Sequence, residues 1–183
     1  MGSLNNFNLK KYRIKTYVET GTGACHTLAK AAGVFKRCYS VDLDPIMVQE
    51  ARIKFPKAII EEGLSTEVLE KWLKKDLVNF TSICFFLDAH FPGSDFHGAP
   101  YSVTAPNAVP LEEELNLIKK YRPNSPDIII CDDARIYTTG PFANGNTPWL
   151  QVPGGYDFIK VLFPTADISI TYEEEGHIII DRR

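Results

Sequence analysis

The sequence predicts a single α/β domain over residues 1–183, built on a doubly wound sheet that is mostly parallel and has one antiparallel strand. Strand-like and helix-like segments alternate from end to end, an order that gives a parallel sheet with helices on both faces. The last two strand-like runs, 168–172 and 177–181, have no helix between them. They therefore predict a closing hairpin and one antiparallel strand.

Local signals place the elements in order. The first strand stops at a glycine, Gly33 can end the first helix, and Pro45 suits the first turn of the second. Ser65 can cap the third helix. The predicted strands are 15–20, 37–43, 57–61, 82–87, 127–131, 168–172 and 177–181, and the predicted helices are 24–32, 45–55, one from residue 65, 111–121 and 156–163.

Two long irregular stretches, 91–109 and 138–155, follow the fourth and fifth strands. Both therefore lie at the carboxyl edge of the sheet, where open α/β sheets bind ligands. Loops of this length are uncommon in a compact domain unless they are functional. Their aromatic residues predict either a lid over a ligand or a homodimer interface, and they are Phe91, Phe96, Tyr101, Tyr137, Phe142 and Trp149.

The composition excludes several classes of protein. A net charge of −3 provides no basic field for nucleic acid, so we expect no nucleic-acid partner. None of the four cysteines forms a CxxC pair, which argues against a zinc knuckle and for buried free thiols in a reducing compartment. No signal peptide or membrane-spanning run is evident, so a soluble cytoplasmic protein is expected. Residues 1–10 are interpreted as a flexible or cloning-derived tail.

The turn at residues 19–23, Glu-Thr-Gly-Thr-Gly, lies between the first strand and the first helix. Its glycines allow a tight turn and close approach of a ligand. A dinucleotide site needs a third glycine at position 26, where this chain has His26. The pattern resembles instead the Glu/Asp-x-Gly-x-Gly turn of class I methyltransferases dependent on S-adenosylmethionine (SAM), which have a Rossmann-like sheet. A further glycine often stands at the position of Cys25 in that family.

This resemblance implies a SAM site along the first three strands. Asp42, at the end of the second strand, takes the place of the acidic residue that binds the ribose hydroxyls. Ser65 follows the third strand and either bonds the adenine or only caps its helix, and the sequence leaves both open. The implied cofactor-binding residues are Glu19, Thr20, Gly21, Thr22, Gly23, Asp42, Ser65 and Asp88.

Three carboxylates follow the fourth and fifth strands. Asp88 ends one strand, and Asp132 and Asp133 end the other, so all three are expected to converge at one edge. Carboxylates packed together repel unless a cation or protons compensate. Oxygen ligands favour Mg²⁺, so Asp88, Asp132 and Asp133 are the candidate metal ligands. Arg135 provides the rival interpretation, since it can neutralise the acidic pair without a metal.

The carboxylate arrangement resembles metal-dependent O-methyltransferases of the catechol and macrolide-sugar types. That resemblance implies a divalent ion that binds the hydroxyls of a small acceptor and lowers their pKa. Phe91 stands where the catechol enzymes have a lysine base, whereas His90 matches the candidate base of the sugar enzymes. His90 and Asp88 are therefore the predicted catalytic residues, and a metal ligand is the alternative role for His90. His26 and His97 are weaker candidates, and His177 is expected to face solvent.

The sequence thus predicts O-methylation of a small hydroxylated molecule by a SAM-dependent, metal-assisted enzyme. A SAM-binding protein without transferase activity and a methyltransferase of protein or nucleic acid are the alternatives. The acidic composition and the absence of an Asp/Asn-Pro-Pro-Tyr box argue against a nucleic-acid substrate.

Overall fold

The computed structural model describes residue 4 and residues 7–90, 108–146 and 151–183. Its strands are β1 (Thr16–Thr20), β2 (Arg37–Asp42), β3 (Ile59–Glu62), β4 (Cys84–Leu87), β5 (Ile128–Asp132), β6 (Asp167–Ile170) and β7 (His177–Asp181). Its α-helices are α1 (His26–Ala32), α2 (Pro45–Lys54), α3 (Ser65–Lys74), α4 (Leu111–Tyr121) and α5 (Asp157–Leu162), and short 3₁₀ turns span Leu9–Tyr12 and Ala134–Ile136.

The seven strands form one sheet in the order β3-β2-β1-β4-β5-β7-β6. The first five strands are mutually parallel, and β7 lies antiparallel to both β5 and β6. The predicted fold class is therefore confirmed. The strand order reverses between β1 and β4, and the crevice beyond their carboxyl ends is where such sheets bind ligands.

Side chains alternate between the two faces of the sheet, and each face has its own core. Val18, Phe85 and Ile129 belong to one core, which includes buried residues of α3, α4 and α5. The neighbouring Tyr17 and Phe86 belong to the other, which α1 and α2 cover. The predicted burial of the thiols is confirmed, because Cys25, Cys38, Cys84 and Cys131 are all free and buried.

The start of the chain differs from the predicted tail. Leu4 is 1% exposed and Leu9 is 2% exposed, and both join the core on the α1 and α2 side together with Tyr12. A 3₁₀ turn over Leu9–Tyr12 brings these residues onto the sheet. The interpretation of residues 1–10 as a tail is therefore wrong for Leu4 and Leu9, whose apolar burial ties this segment to the domain.

The helix starts also test the capping predictions. Asp44 caps α2, because its carboxylate accepts hydrogen bonds from the backbone of Ile46 at 2.8 Å and Met47 at 3.3 Å. Ser65 does not cap α3: the N-cap residue is Leu64, without a side-chain bond, and Ser65 is already helical. Within the described ranges, no helix is both long and apolar enough to cross a membrane.

Candidate functional site

The turn after β1 uses its two glycines for different purposes. Gly21 has a φ of +82°, and a Cβ atom there would overlap the backbone carbonyl of Asp88, whose amide donates to Thr20 O at 2.9 Å. Gly23 has a φ of +46°, and a Cβ atom there would have no neighbour within 4 Å. Gly21 therefore lets the backbone segments that follow β1 and β4 approach each other closely, whereas Gly23 faces open space that a ligand can fill.

Cys25, the last residue of the turn, has a backbone conformation that glycine usually adopts. Its φ of +67° places it in the left-handed region, which costs a residue with a Cβ atom about 1 kcal/mol. It directly precedes α1. Cysteine thus replaces the glycine that is often found at this position, but the backbone keeps the conformation that a glycine would have.

Glu19 supports the turn from inside the protein. The residue is 0% exposed, and its carboxylate accepts hydrogen bonds from the hydroxyls of Tyr17 at 2.7 Å, Thr27 at 3.0 Å and Ser40 at 2.7 Å. Burial raises the pKa of Glu19 to about 7, although these three hydroxyls act in the opposite direction. With no exposed surface, Glu19 supports the turn from inside, and its predicted cofactor contact stays a prediction.

Thr20 and Thr22 are also buried, at 0% and 2% exposure. The Thr22 hydroxyl lies 2.6 Å from that of Ser40. Of the predicted cofactor residues in the turn, only Gly21 and Gly23 therefore remain partly exposed at the crevice.

Asp42 links the end of β2 to this turn. Its Oδ2 accepts a hydrogen bond from the Gly23 amide at 2.8 Å, and its Oδ1 accepts one from the Asp44 amide at 2.9 Å. Burial raises the pKa of Asp42, and these backbone bonds act against that rise. The side chain stays partly exposed, and each oxygen has a further lone pair for a hydroxyl donor. Asp42 and the space over Gly23 thus fit the ribose end of SAM.

Ser65 has a different neighbour from either of its predicted ones. It is only 9% exposed at the start of α3, and its hydroxyl interacts with the buried carboxyl group of Glu114 on α4. This contact joins the two helices beside the crevice.

The three predicted metal ligands do not form one set. Arg135 engages both oxygens of Asp133, with its Nε and Nη2 each at 2.8 Å. The ligand atoms that do lie together belong to Asp88, His90 and Asp132, within 4.8 Å of one another. The rival interpretation with Arg135 is thus what the structure shows at Asp133, and His90 takes the third place in the cluster.

The pKa values of the three side chains in this cluster are shifted in different directions. Burial raises the pKa of Asp88, and the neighbouring charge of Asp132 raises it further. Burial also raises the pKa of Asp132, but His177 and other partners outweigh burial and hold it below its usual value. Burial lowers the pKa of His90, whose Nδ1 lies 3.4 Å from Asp88 Oδ1. Asp88 thus holds its proton more tightly than Asp132 does, and the neutral form of the His90 imidazole is favoured.

The prediction that His177 faces solvent is wrong. His177 is 5% exposed, and its Nε2 lies 3.0 Å from Asp132 Oδ1, because β7 pairs with β5 so that these two residues are opposite each other. The ring of Phe7 packs edge-on against the imidazole at 4.9 Å. His177 thus holds Asp132 from the side opposite the crevice strands β1 and β4.

Sequence reasoning also missed Glu114. It is 1% exposed and lines a small cleft together with Leu87, Ala89, His90, Pro110, Leu111, Asp132 and Tyr137. Burial raises the pKa of Glu114 to about 7, against the smaller effects of Ser65 and Thr20. A signal was present, because position 114 falls on the apolar stripe of α4 with Leu111, Leu115 and Ile118.

Other predicted features lie outside the described residues. These are His97, the loop aromatics Phe91, Phe96 and Tyr101, and Trp149. His26 is exposed at the start of α1, and no described partner connects it to the carboxylate cluster.

No family model and no curated protein matches the sequence, but solved structures match the fold. A Sulfolobus solfataricus protein assigned as a type 11 methyltransferase has a TM-score of 0.56 and 13% identity, over 96% of this chain and 88% of that one. SAM-bound CalS10, an amino pentose methyltransferase from Micromonospora echinaspora, has a TM-score of 0.52 and 10% identity, over 94% and 85% of the two chains. The N-methyltransferase NodS from Bradyrhizobium japonicum has a TM-score of 0.50 and 13% identity, over 91% of this chain and 84% of that one.

Identities this low establish a likeness of architecture, since fold alone does not fix function. The strand order, the single antiparallel strand and these matches agree. The chain has the Rossmann-like fold of the class I methyltransferases.

Proposed function

We propose that this protein is a SAM-dependent methyltransferase that acts on a small polar acceptor. The observation that carries the proposal is the open space over Gly23, bordered by the Asp42 carboxylate at the carboxyl edge of β1 and β2. Ligands of open α/β sheets bind at this edge. The neighbouring edge, after β4 and β5, carries the cluster of Asp88, His90 and Asp132.

The chain's own residues would divide the work between the two edges. Gly21 and Gly23 let the backbone approach the donor, and Asp42 would bind its ribose hydroxyls. SAM, when bound, supplies an electrophilic methyl group, so little further activation is needed. The cleft over β4 and β5 combines apolar side chains, Leu87 and Leu111, with the polar groups of His90, Glu114 and Asp132.

His90 is the group best placed to take a proton from the acceptor. Its imidazole is neutral because burial lowers its pKa, and a neutral imidazole is a proton acceptor near pH 7. Its Nδ1 faces Asp88, which fixes the orientation of the ring. His90 would hold the proton while Asp88 positions it.

The finer form of the proposal is O-methylation assisted by a divalent ion. Support comes from two neighbouring carboxylates, the partly exposed Asp88 and the buried Asp132. The charge of Asp132 raises the pKa of Asp88, and the oxygens of both lie with a His90 nitrogen within 4.8 Å. A cation there would relieve the repulsion between the two carboxylates. One nitrogen and two oxygens suit Mn²⁺ or Zn²⁺ better than the all-oxygen preference of Mg²⁺. Asp133 does not fit the set, because Arg135 occupies both its oxygens.

A metal-free site is the second candidate, and a specific observation favours it. His177 lies 3.0 Å from Asp132 Oδ1, and Arg135 neutralises Asp133. The acidic edge therefore has protein partners of its own. In that case His90 would act alone as the base, and the shared proton of Asp88 and Asp132 would replace the ion.

Calorimetry with S-adenosylhomocysteine tests the main proposal. Micromolar binding by the wild-type chain and a loss of at least about tenfold for Asp42→Ala are expected, because the variant lacks the acceptor of the ribose hydroxyls. Glu50→Gln, on the exposed face of α2, is the matched control and should bind normally. No binding by a folded wild-type chain would refute the proposal.

A separate titration tests the ion. Mn²⁺ binding is measured by electron paramagnetic resonance on the wild-type protein and on Asp88→Asn. Binding that the variant loses supports the metal-assisted form. A wild-type protein that binds no Mn²⁺, Zn²⁺ or Mg²⁺, with or without S-adenosylhomocysteine, favours the metal-free form. The methylated atom, the cytoplasmic location and the homodimer stay predictions.

A further inference from the structure

Glu114 occupies a position that the packing of α4 reserves for an apolar side chain. The buried face of this helix consists of Leu111, Glu114, Leu115 and Ile118, spaced as one helical stripe. The two preceding acids, Glu112 and Glu113, point away from the core and are exposed. Helix charge complementarity explains acidic residues in a first turn, but it does not require one of them to be 1% exposed.

The Glu114 carboxyl group is incompletely satisfied. Among the described residues, neither the buried Glu114 Oε1 nor Thr20 Oγ1 has a partner with good hydrogen-bond geometry, although the Thr20 hydroxyl lies near enough to the Glu114 carboxyl group to lower its pKa. A buried polar atom without a partner costs about 1–3 kcal/mol. Glu114, which lines the wall of the cleft, therefore offers an acceptor oxygen to a group that donates hydrogen bonds.

The charges of the residues that line the cleft indicate what kind of hydrogen-bond donor would bind there. Among the described residues that line it, Glu114 and Asp132 are acids, His90 is the one with a basic ring, and none is lysine or arginine. The nearby Arg135 forms a bidentate ion pair with Asp133. No described cation thus balances Glu114, so a positively charged ligand group would gain from both its charge and its donors.

We propose that the acceptor of the methyl group is a small hydroxylated amine: its ammonium group binds to Glu114, while one of its hydroxyl groups gives its proton to His90 and takes the methyl group of SAM, which leaves as S-adenosylhomocysteine. This inference rests on the proposed methyltransferase function and adds the class of substrate to it. An ammonium group has three donors and no acceptor, which matches the Glu114 carboxylate oxygen on the wall of the cleft. The amine would lie in the same cleft as His90, the proposed base.

The test compares two probes that differ only in the charged group. Binding of 2-amino-1,3-propanediol and of glycerol is measured by ligand-observed NMR on the protein saturated with S-adenosylhomocysteine. We expect the wild-type chain to prefer the amine by about tenfold, the usual effect of one hydrogen bond to a charged group. Glu114→Gln keeps the shape and removes the charge, and it should abolish this preference.

Three controls separate the interpretations. Glu113→Gln, one residue away and exposed, should keep the amine preference. Glu114→Met restores the apolar stripe and guards against a folding defect, which circular dichroism checks; it should also lose the preference. Calorimetry shows whether each variant still binds S-adenosylhomocysteine with wild-type affinity, as expected if Glu114 belongs to the acceptor side.

The outcomes distinguish this inference from the function on which it rests. Equal binding of the two probes by the wild-type protein, or an amine preference that survives in Glu114→Gln, would overturn the inference and leave methyltransferase function intact. Loss of S-adenosylhomocysteine binding in Glu114→Gln would also overturn it, since Glu114 would then serve the donor. A wild-type chain without affinity for S-adenosylhomocysteine would refute the function itself.

Discussion

Gly21 and Gly23 stand two residues apart, yet alanine should have different effects at each. At Gly21 the added methyl group would overlap the Asp88 carbonyl, so Gly21→Ala is expected to destabilise the fold by about 3 kcal/mol. At Gly23 the methyl group meets nothing, so Gly23→Ala should cost only about 1 kcal/mol for its left-handed backbone. Because that methyl group fills the ligand space, S-adenosylhomocysteine affinity should fall about tenfold.

Urea denaturation and calorimetry on the two variants check this contrast. The comparison has its own internal control, since each variant serves as the reference for the other. A Gly23→Ala protein that binds S-adenosylhomocysteine as tightly as the wild-type chain would show that the space over Gly23 is not the donor site.

Glu19 predicts a pH dependence of stability. Its pKa is raised from 4.5 to about 7 in the folded protein, so the folded state holds the proton more tightly than the unfolded chain does. The resulting stabilisation is complete below pH 4.5 and is lost as the pH rises through about 7. The shift corresponds to about 3 kcal/mol. Urea unfolding from pH 5 to 8 measures it.

Glu19→Gln should reduce the slope of this profile, because glutamine resembles the protonated acid and does not titrate, and Glu114, whose pKa is also raised to about 7, should account for a remaining slope. Glu50→Gln, which changes an exposed acid in α2, should leave the profile as it is in the wild-type protein. Equal pH dependence of the wild-type and Glu19→Gln proteins would contradict the burial and hydrogen bonding assigned to this carboxyl group.

Among the elements, α4, β4 and β5 are joined by one buried acid. Asp127, 0% exposed, accepts two bonds of 2.8 Å from Arg122 at the end of α4 and one of 2.8 Å from the Ile83 amide before β4. Arg182 lies 3.5 Å away. Asp127→Ala would leave two arginines without their carboxylate and is expected to cost about 4 kcal/mol.

Chemical denaturation of Asp127→Ala measures this loss, and Glu50→Ala is the surface comparison. That exposed partner of Lys54 should change the free energy of unfolding by less than about 0.5 kcal/mol. Similar small effects of both substitutions would show that α4 and the sheet do not depend on the Asp127 clamp.

The elements also show how far the sequence could predict this structure. α4 and β7 have the predicted bounds, Leu111–Tyr121 and His177–Asp181, because their apolar patterns are clear. The first turn, Leu9–Tyr12, was missed because its burial comes from contacts with the sheet and not from a local pattern. The strands β3 and β6 begin or end one to two residues from the predicted limits, as edge strands with weak patterns do.

The site was harder to predict, because its geometry depends on register and on helix rotation. His177 was expected in solvent, and only the pairing of β7 with β5 places it opposite Asp132. Glu114 was hidden among three consecutive glutamates, and only the packing of α4 selects the buried one. Arg135 was recognised as a rival to metal because it is two residues from Asp133, a local relation that sequence does show.

For the molecule as a whole, a ligand that binds only the folded state must stabilise every element of the sheet together. S-adenosylhomocysteine at about 100 times its Kd should contribute about 2.7 kcal/mol, which raises the Tm of a domain of this size by about 5–10 °C. Differential scanning fluorimetry measures the shift.

NAD⁺ at the same excess should give no shift in Tm, because His26 replaces the glycine that a dinucleotide site requires. Asp42→Ala removes the ribose partner and also the acceptor of the Gly23 and Asp44 amides, so it should lose the shift caused by S-adenosylhomocysteine and lower the Tm of the unliganded protein. A larger shift with NAD⁺ than with S-adenosylhomocysteine would assign the crevice to a dinucleotide and displace the methyl donor from the proposal.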